Sequence, residues 1–258
     1  MYDGTAMTEC PKCHYVRQNK DANIHAGVCP ACGIAYQKWL ERQQKIDGQF
    51  DNTDADYEES DNALLPRLKA LLTEIPVTID PLAFWSRAVT LAGVAVWTAW
   101  FIGHGIDWEI IGGSFMHNIN LAFHEFGHVF FSPFGNFMMI LGGSLFQILL
   151  PLIPLVAFVI QQRDNFAAAV MLWWCGQSFI DIAPYIRDAE YRALPLVGGA
   201  SEDFHDWGNI LTRLDAVSSC YALAKTSFTI GCVIMLAGVL WGSYILLLQY
   251  RAMDENSI

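Results

Sequence analysis

Positive charge is scarce in this chain: 15 Lys and Arg stand against 26 Asp and Glu in 258 residues, for a formal net charge of −11. That balance argues against a nucleic-acid partner, which would call for Lys and Arg to meet phosphates. Charge of either sign is thin. Only 16% of residues are charged while 53% are hydrophobic, with nine Trp, and an ordinary soluble domain carries about 25% charged residues. An early apolar run is also missing. A hydrophilic region of about 80 residues precedes the first apolar stretch, so no signal peptide is expected. Much of the acid sits in one tract, Asp51 to Asp61, with Asp54, Asp56, Glu58 and Glu59 between, which reads as a solvated linker.

The hydrophobic excess lies after residue 80, in five stretches long enough to cross a bilayer, which takes about 20 helical residues. They run roughly over 82–102, 110–131, 137–160, 166–186 and 228–248. The expected fold is an all-α polytopic membrane protein of about five transmembrane helices behind a small amino-terminal head. The domains expected are residues 1–49 as head, 50–81 as acidic linker and juxtamembrane amphipathic helix, and 82–258 as the membrane domain. Within the linker region Leu64, Leu65, Leu68, Leu71 and Leu72 recur at helical spacing, suited to a membrane surface or to the bundle. Pro151 and Pro154 predict a kink in the third stretch. Gly238 and Gly242 fit a close helix contact in the last. Arg67, Lys69 and Arg87 lie on the head side of the first span, and Arg187, Arg192, Arg213 and Lys225 lie in the long connection before the last; Arg163 and Arg251 are left for the other side. The positive-inside rule then places the head in the cytoplasm, and the plasma membrane is the expected location.

In the head, Cys10-Pro-Lys-Cys13 and Cys29-Pro-Ala-Cys32 are two CxxC pairs separated by fifteen residues. This is the spacing of a four-thiolate structural zinc site, a zinc ribbon, with Gly33 allowing the backbone to turn around the metal. Iron in the same cage and a pair of disulfides are the alternatives; a reducing compartment favours zinc. A closed site of this kind offers no open position to a substrate, so the ribbon reads as a structural or binding module with an unknown partner. Cys175, Cys220 and Cys232 show no ligand spacing and read as free thiols.

The second motif is His124-Glu125-Phe126-Gly127-His128 inside the apolar stretch 110–131. Histidines four apart share a helix face and suit one zinc ion, and Glu125 suits a base for a water at that metal. His and Glu are costly in hydrocarbon, so their presence there marks a function by default; satisfied core histidines are the plain alternative. A catalytic zinc wants three protein ligands and an open position. His117 stands seven residues before His124, about 10 Å along the axis, too far to be the third. Asp181, Asp188, Glu190, Glu202 and His205 remain as candidates, and an Asp–Arg pair with Arg187 competes for either aspartate. His205, in the connection after Gly198-Gly199, is a candidate accessory group at the mouth of the site. Asn120 and Asn118 suit either an extended substrate, a water path, or interhelical hydrogen bonds.

HEFGH, followed on a later span by Asp181-Ile-Ala-Pro184-Tyr-Ile-Arg-Asp188-Ala189, resembles the site-two-protease family of intramembrane zinc metalloproteases. The likeness covers roughly residues 110–190. Family members carry an Asn-x-x-Pro motif and then an Asp-Gly whose aspartate is the third ligand. Here Asp181 stands in place of the Asn, the interval from Pro184 to Asp188 is one residue shorter, and Ala189 replaces the Gly. The resemblance implies His124, His128 and Asp188 as zinc ligands with Asp181 as the alternative, Glu125 as catalytic base, and membrane-spanning proteins as substrates. A membrane metallopeptidase of gluzincin type, with Glu190 or Glu202 as ligand and cytoplasmic chains as substrates, is a second expectation. A non-proteolytic zinc-binding adaptor is the third.

Overall fold

The structure, a computed structural model, describes residues 8–40, 64–197 and 201–255. The acidic tract 51–61, residues 41–49 of the head and Gly198-Gly199 lie outside the described residues. The chain forms two compact units, Met1–Arg67 and Leu68–Ile258. No strand occurs among the described residues. The first unit is two hairpin knuckles, each closed by one isolated bridge, Glu9 with Val16 and Val28 with Ala35, and a helical turn starts at Tyr36.

Helix α1 (Leu64–Leu72) falls within the leucine-patterned segment and leaves Leu64, Leu65, Leu68 and Leu72 exposed. The long helix α2 (Pro81–His104) starts on an Asp80 cap with Pro at its first position, where a missing N–H is harmless. Next come α3 (Trp108–Gly112), capped by Asp107, and α4 (Phe115–Phe131), capped by Ser114. A turn through Pro133 and Gly135 leads to α5 (Asn136–Leu149), and α6 (Leu152–Ala157) follows with a π-helical turn, Phe158–Gln162. The expected kink is thus a break at Leu150-Pro151. Helix α7 (Asn165–Arg187) carries Pro184 inside it, α8 (Asp206–Arg213) is short, and α9 (Cys220–Glu255) completes the bundle.

Four helical stretches, rather than five, are long and apolar enough to cross a membrane among the described residues: Pro81–His104, Asn136–Gln162, Asn165–Arg187 and Val217–Asp254. The stretch expected over 110–131 is divided, because Gly112-Gly113 ends α3 and Ser114 accepts from the His117 N–H to start α4 anew. The motif helix is left with 17 residues, about 25 Å of rise.

Helix α7 is the centre of the bundle: 67% of its membrane-length stretch is buried, against 11% for α2. Small residues let its neighbours approach. A Cβ on Gly176 would lie 2.7 Å from the Gly231 carbonyl oxygen, and one on Gly231 would lie 2.6 Å from that of Gly176, so α7 and α9 cross backbone to backbone. Gly238 meets α7 in the same way, 2.9 Å from the Ala169 oxygen, whereas Gly242 faces Leu91 of α2 at 3.1 Å. Asn165 donates to the carbonyls of Leu71 (2.8 Å) and Glu74 (3.0 Å), and Trp241 donates to that of Leu72 (2.8 Å), which fixes residues 71–74 on α7 and α9. Gly176→Val should therefore lower the stability of the detergent-solubilised protein by about 1–3 kcal/mol or more, read as the thermal midpoint. Gly93→Ala, where a Cβ meets nothing within 4 Å, should leave it unchanged or raise it.

Candidate metal centres

The two knuckles of the first unit repeat one geometry. Cys10 N–H donates to Tyr15 O (2.9 Å) and His14 N–H to Cys10 O (2.9 Å); Cys29 N–H donates to Ile34 O (3.0 Å) and Gly33 N–H to Cys29 O (2.9 Å). The residue after each second cysteine turns left-handed, Gly33 at φ 71° as expected and His14 at φ 59°. The four sulfurs meet, Cys10 with Cys32 at 3.8 Å and Cys13 with Cys29 at 3.6 Å. A tetrahedron with metal–sulfur bonds of about 2.3 Å has edges of about 3.8 Å, so the cage has the right size for a metal, and all four cysteines are free thiols. Burial opposes ionisation of Cys29, but hydrogen bonds from the Cys32 and Ala31 N–H groups outweigh it and lower its thiol to about 6. Arg17, which the spacing argument passed over, holds the loop between the knuckles by donating to the carbonyls of Asp21, Ile24, His25, Ala26 and Val28.

In the second unit His124 and His128 project from α4 toward α5 and α8. His124 Nδ1 lies 2.9 Å from Gln147 Oε1 and His128 Nδ1 lies 2.8 Å from Met139 O. Both partners are acceptors, so each Nδ1 carries the proton and each Nε2 presents a lone pair. The two Nε2 atoms face one carboxylate oxygen, Asp206 Oδ2, at 3.1 and 3.4 Å. Three acceptors converging on one point suit a cation between them. With ligand bonds of about 2.0–2.1 Å a tetrahedral site has edges of about 3.3 Å, so His124, His128 and Asp206 form a group that could hold a metal ion.

Two features fit this site into the bundle. A Cβ on Gly143 would lie 2.5 Å from His124 Nε2 and 2.7 Å from His128 Cε1, so α5 supplies a bare patch of backbone on which both imidazoles rest. Gly127, inside the motif, and Gly142 bring the two backbones together, the Gly127 Cβ position lying 2.3 Å from the Gly142 oxygen. Helix α8, eight residues long, is pinned by Trp207 donating to Ser144 Oγ (3.0 Å) and by Arg192 donating to Asn209 (3.3 Å) and Thr212 (3.1 Å). The Asp206 N–H donates to the Tyr185 hydroxyl (3.2 Å). A cavity of about 640 Å³ opens in front of these three side chains, lined by Glu125, His117, Tyr185, Leu196, Phe204 and Arg213 among others.

The other expected residues are placed differently. Asp188, the ligand that the family resemblance implied, accepts from Leu194 N–H (2.8 Å) and His205 Nε2 (3.2 Å), and it is Asp206 that meets the histidines. The connection after α7 folds back, so the nearer carboxylate in sequence is used to hold the loop. Asp181, the alternative, accepts from His117 Nδ1 (3.0 Å) and Gln147 Nε2 (3.2 Å), so no Asp–Arg pair with Arg187 is needed. Glu190 and Glu202 are exposed and outside the cavity wall. His205 is fully buried rather than at the cavity mouth: it caps α8 by accepting from Gly208 N–H (2.9 Å), and burial keeps its imidazole below its ordinary pKa. Asn120 is buried between helices, donating to Gln177 (2.7 Å) and accepting from Trp174 (2.8 Å), and Asn118 donates to the Ser114 carbonyl of its own helix (3.2 Å).

Comparison with known proteins adds no relative: no family profile, no curated protein and no solved structure matches the chain. Gly143→Ala tests the site geometry directly. The added methyl should displace both imidazoles and weaken metal binding in the bundle at least tenfold while the ribbon metal, counted separately by elemental analysis, stays bound.

Proposed function

We propose that the second unit is a membrane zinc endopeptidase and the first a zinc ribbon that recruits or senses a partner. The observation that carries this reading is the convergence of His124 Nε2, His128 Nε2 and Asp206 Oδ2 beside the Glu125 carboxylate on the wall of one cavity. Three ligands and an adjacent carboxylate are the donor set of a hydrolytic rather than a closed structural zinc site. Zinc, when bound there, supplies Lewis acidity toward a water and a carbonyl oxygen.

This chain's residues do the remaining work. Glu125 is placed to take the proton of the attacking water and return it to the departing amine, so that the peptide carbon gains the hydroxyl and the nitrogen leaves neutral. Tyr185, whose oxygen accepts from the Asp206 N–H, keeps its own proton to donate into the cavity as charge develops on the scissile oxygen. Leu196, Val197 and Phe204 on the cavity wall offer apolar contacts to an extended chain. Membrane-spanning proteins are the proposed substrates and the head is taken as cytoplasmic, on the basis of the motif's apolar setting and the Lys and Arg distribution. The likeness to the site-two family stands on HEFGH, with Asp206 taking the role that the resemblance gave to Asp188.

Replacing Glu125 by Gln separates this reading from a zinc-binding adaptor. The variant should keep its bundle zinc and lose hydrolysis of a membrane-embedded reporter substrate by about 10²–10⁴-fold. Asp206→Ala should lose the bundle zinc, whereas Glu190→Ala and Glu202→Ala should retain both zinc and activity; zinc loss in either glutamate variant would favour the gluzincin alternative.

A further inference from the structure

Behind the proposed ligand His124 runs a chain of three side chains that the hydrolytic reaction itself does not use. His117 Nδ1 lies 3.0 Å from Asp181 Oδ1, Asp181 Oδ2 lies 3.2 Å from Gln147 Nε2, and Gln147 Oε1 lies 2.9 Å from His124 Nδ1. Gln147 is 3% exposed and Asp181 5%. The chain crosses three helices, α4 at both ends, α7 at Asp181 and α5 at Gln147. No Arg or Lys pairs with Asp181 among the described residues. A buried carboxylate satisfied by one imidazole and one amide is costly to keep, so its placement calls for a reason.

The amide supplies one. Gln147 can sit either way round, and its orientation decides which nitrogen of His124 bears the proton. Turned as it is, its NH₂ faces two acceptor-only groups, the Asp181 carboxylate and the Ser178 carbonyl at 3.4 Å, and its oxygen faces His124. The proton must then lie on Nδ1 and the lone pair on Nε2, toward Asp206. Turned over, its oxygen would oppose the carboxylate and its NH₂ would oppose His124 Nδ1, which would move the proton to Nε2 and block a metal. A charged acceptor at Asp181 makes the second arrangement unfavourable.

We propose that Asp181 is a positioning residue, held by His117, that fixes the tautomer and orientation of His124 through the Gln147 amide. The inference rests on His124 being a metal ligand. Asp181 touches neither the site's three ligands nor the reacting groups, and its effect is on the affinity of the site.

The test is zinc affinity of the full chain in detergent, by chelator competition. The bundle equivalent is identified as the one missing from a His124→Ala/His128→Ala variant. Asp181→Asn, nearly isosteric, offers Gln147 a donor and makes both amide orientations acceptable, so bundle affinity should fall about 10–100-fold, the usual cost of losing an outer partner of a metal-bound histidine. Gln147→Glu should fall similarly, because its carboxylate would oppose that of Asp181. In the double variant Asp181→Asn/Gln147→Glu the charge has moved one place along the chain: the new carboxylate accepts from His124 Nδ1 and the new amide donates to it. Affinity should recover to within a few-fold of the parent, which a loss of packing would not produce. An unchanged Asp181→Asn, or a double variant as weak as the product of its singles, would overturn the inference. A parent with no bundle zinc at all would overturn the metal reading beneath it.

Discussion

A carboxylate oxygen held 3.1 and 3.4 Å from two imidazole nitrogens is well suited to a cation between the three, and the second unit is arranged to hold them there. The Nδ1 protons of both histidines are taken up on the far side, by Gln147 and the Met139 carbonyl. Asp206 is brought in by a separate short helix. The bare backbone at Gly143 lets both rings come close to α5. These placements suit a positive charge at the centre, and the rest of the polar interior is arranged outward from that point.

Polar groups inside an apolar bundle are tolerated when every one has a partner. Along α4 the rule holds for Asn120, which joins Gln177 and Trp174, and for His117, which joins Asp181, while Gln177 Nε2 is left without a partner among the described residues. His117, Asn120 and His124 recur three and then four positions apart on α4, a single helix face, so the helix turns one polar stripe to α7 and α5. Its other face stays apolar, with Phe126, Val129 and Phe130 exposed, as a lipid-facing surface would be. Asp188 and His205 form the corresponding support on the loop side. Their hydrogen bond ties the end of α7 to the cap of α8 and so places Asp206 one residue further on.

Much of this was legible in the chain itself. The two CxxC pairs and HEFGH are local motifs in which spacing alone brings ligands together, and Cys10, Cys13, Cys29, Cys32, His124 and His128 meet as their spacing implies. Apolar runs located the long helices, apart from the division at Gly112-Gly113-Ser114, where a capping signal outweighed continuous hydrophobicity. The carboxylate that meets the two histidines was not legible, because its place depends on how a connection of some twenty residues folds back. Asp181 and Asp188 were singled out by their position near the end of a span, and both lie close to the centre, one partner removed. Asp206 lay next to His205 in view; its only signal was an acidic residue at the start of a short amphipathic helix, a position that capping explains equally well.

The converging histidines and aspartate are proposed to hold zinc independently of the ribbon. Zinc-edge X-ray absorption on the full chain carrying Cys10→Ser and Cys13→Ser measures this most directly, since it reports the atoms bound to whatever zinc remains. One zinc with only nitrogen and oxygen neighbours at about 2.0–2.1 Å and an imidazole scattering pattern is expected. A protein without zinc, or a sulfur shell at about 2.3 Å, would contradict it.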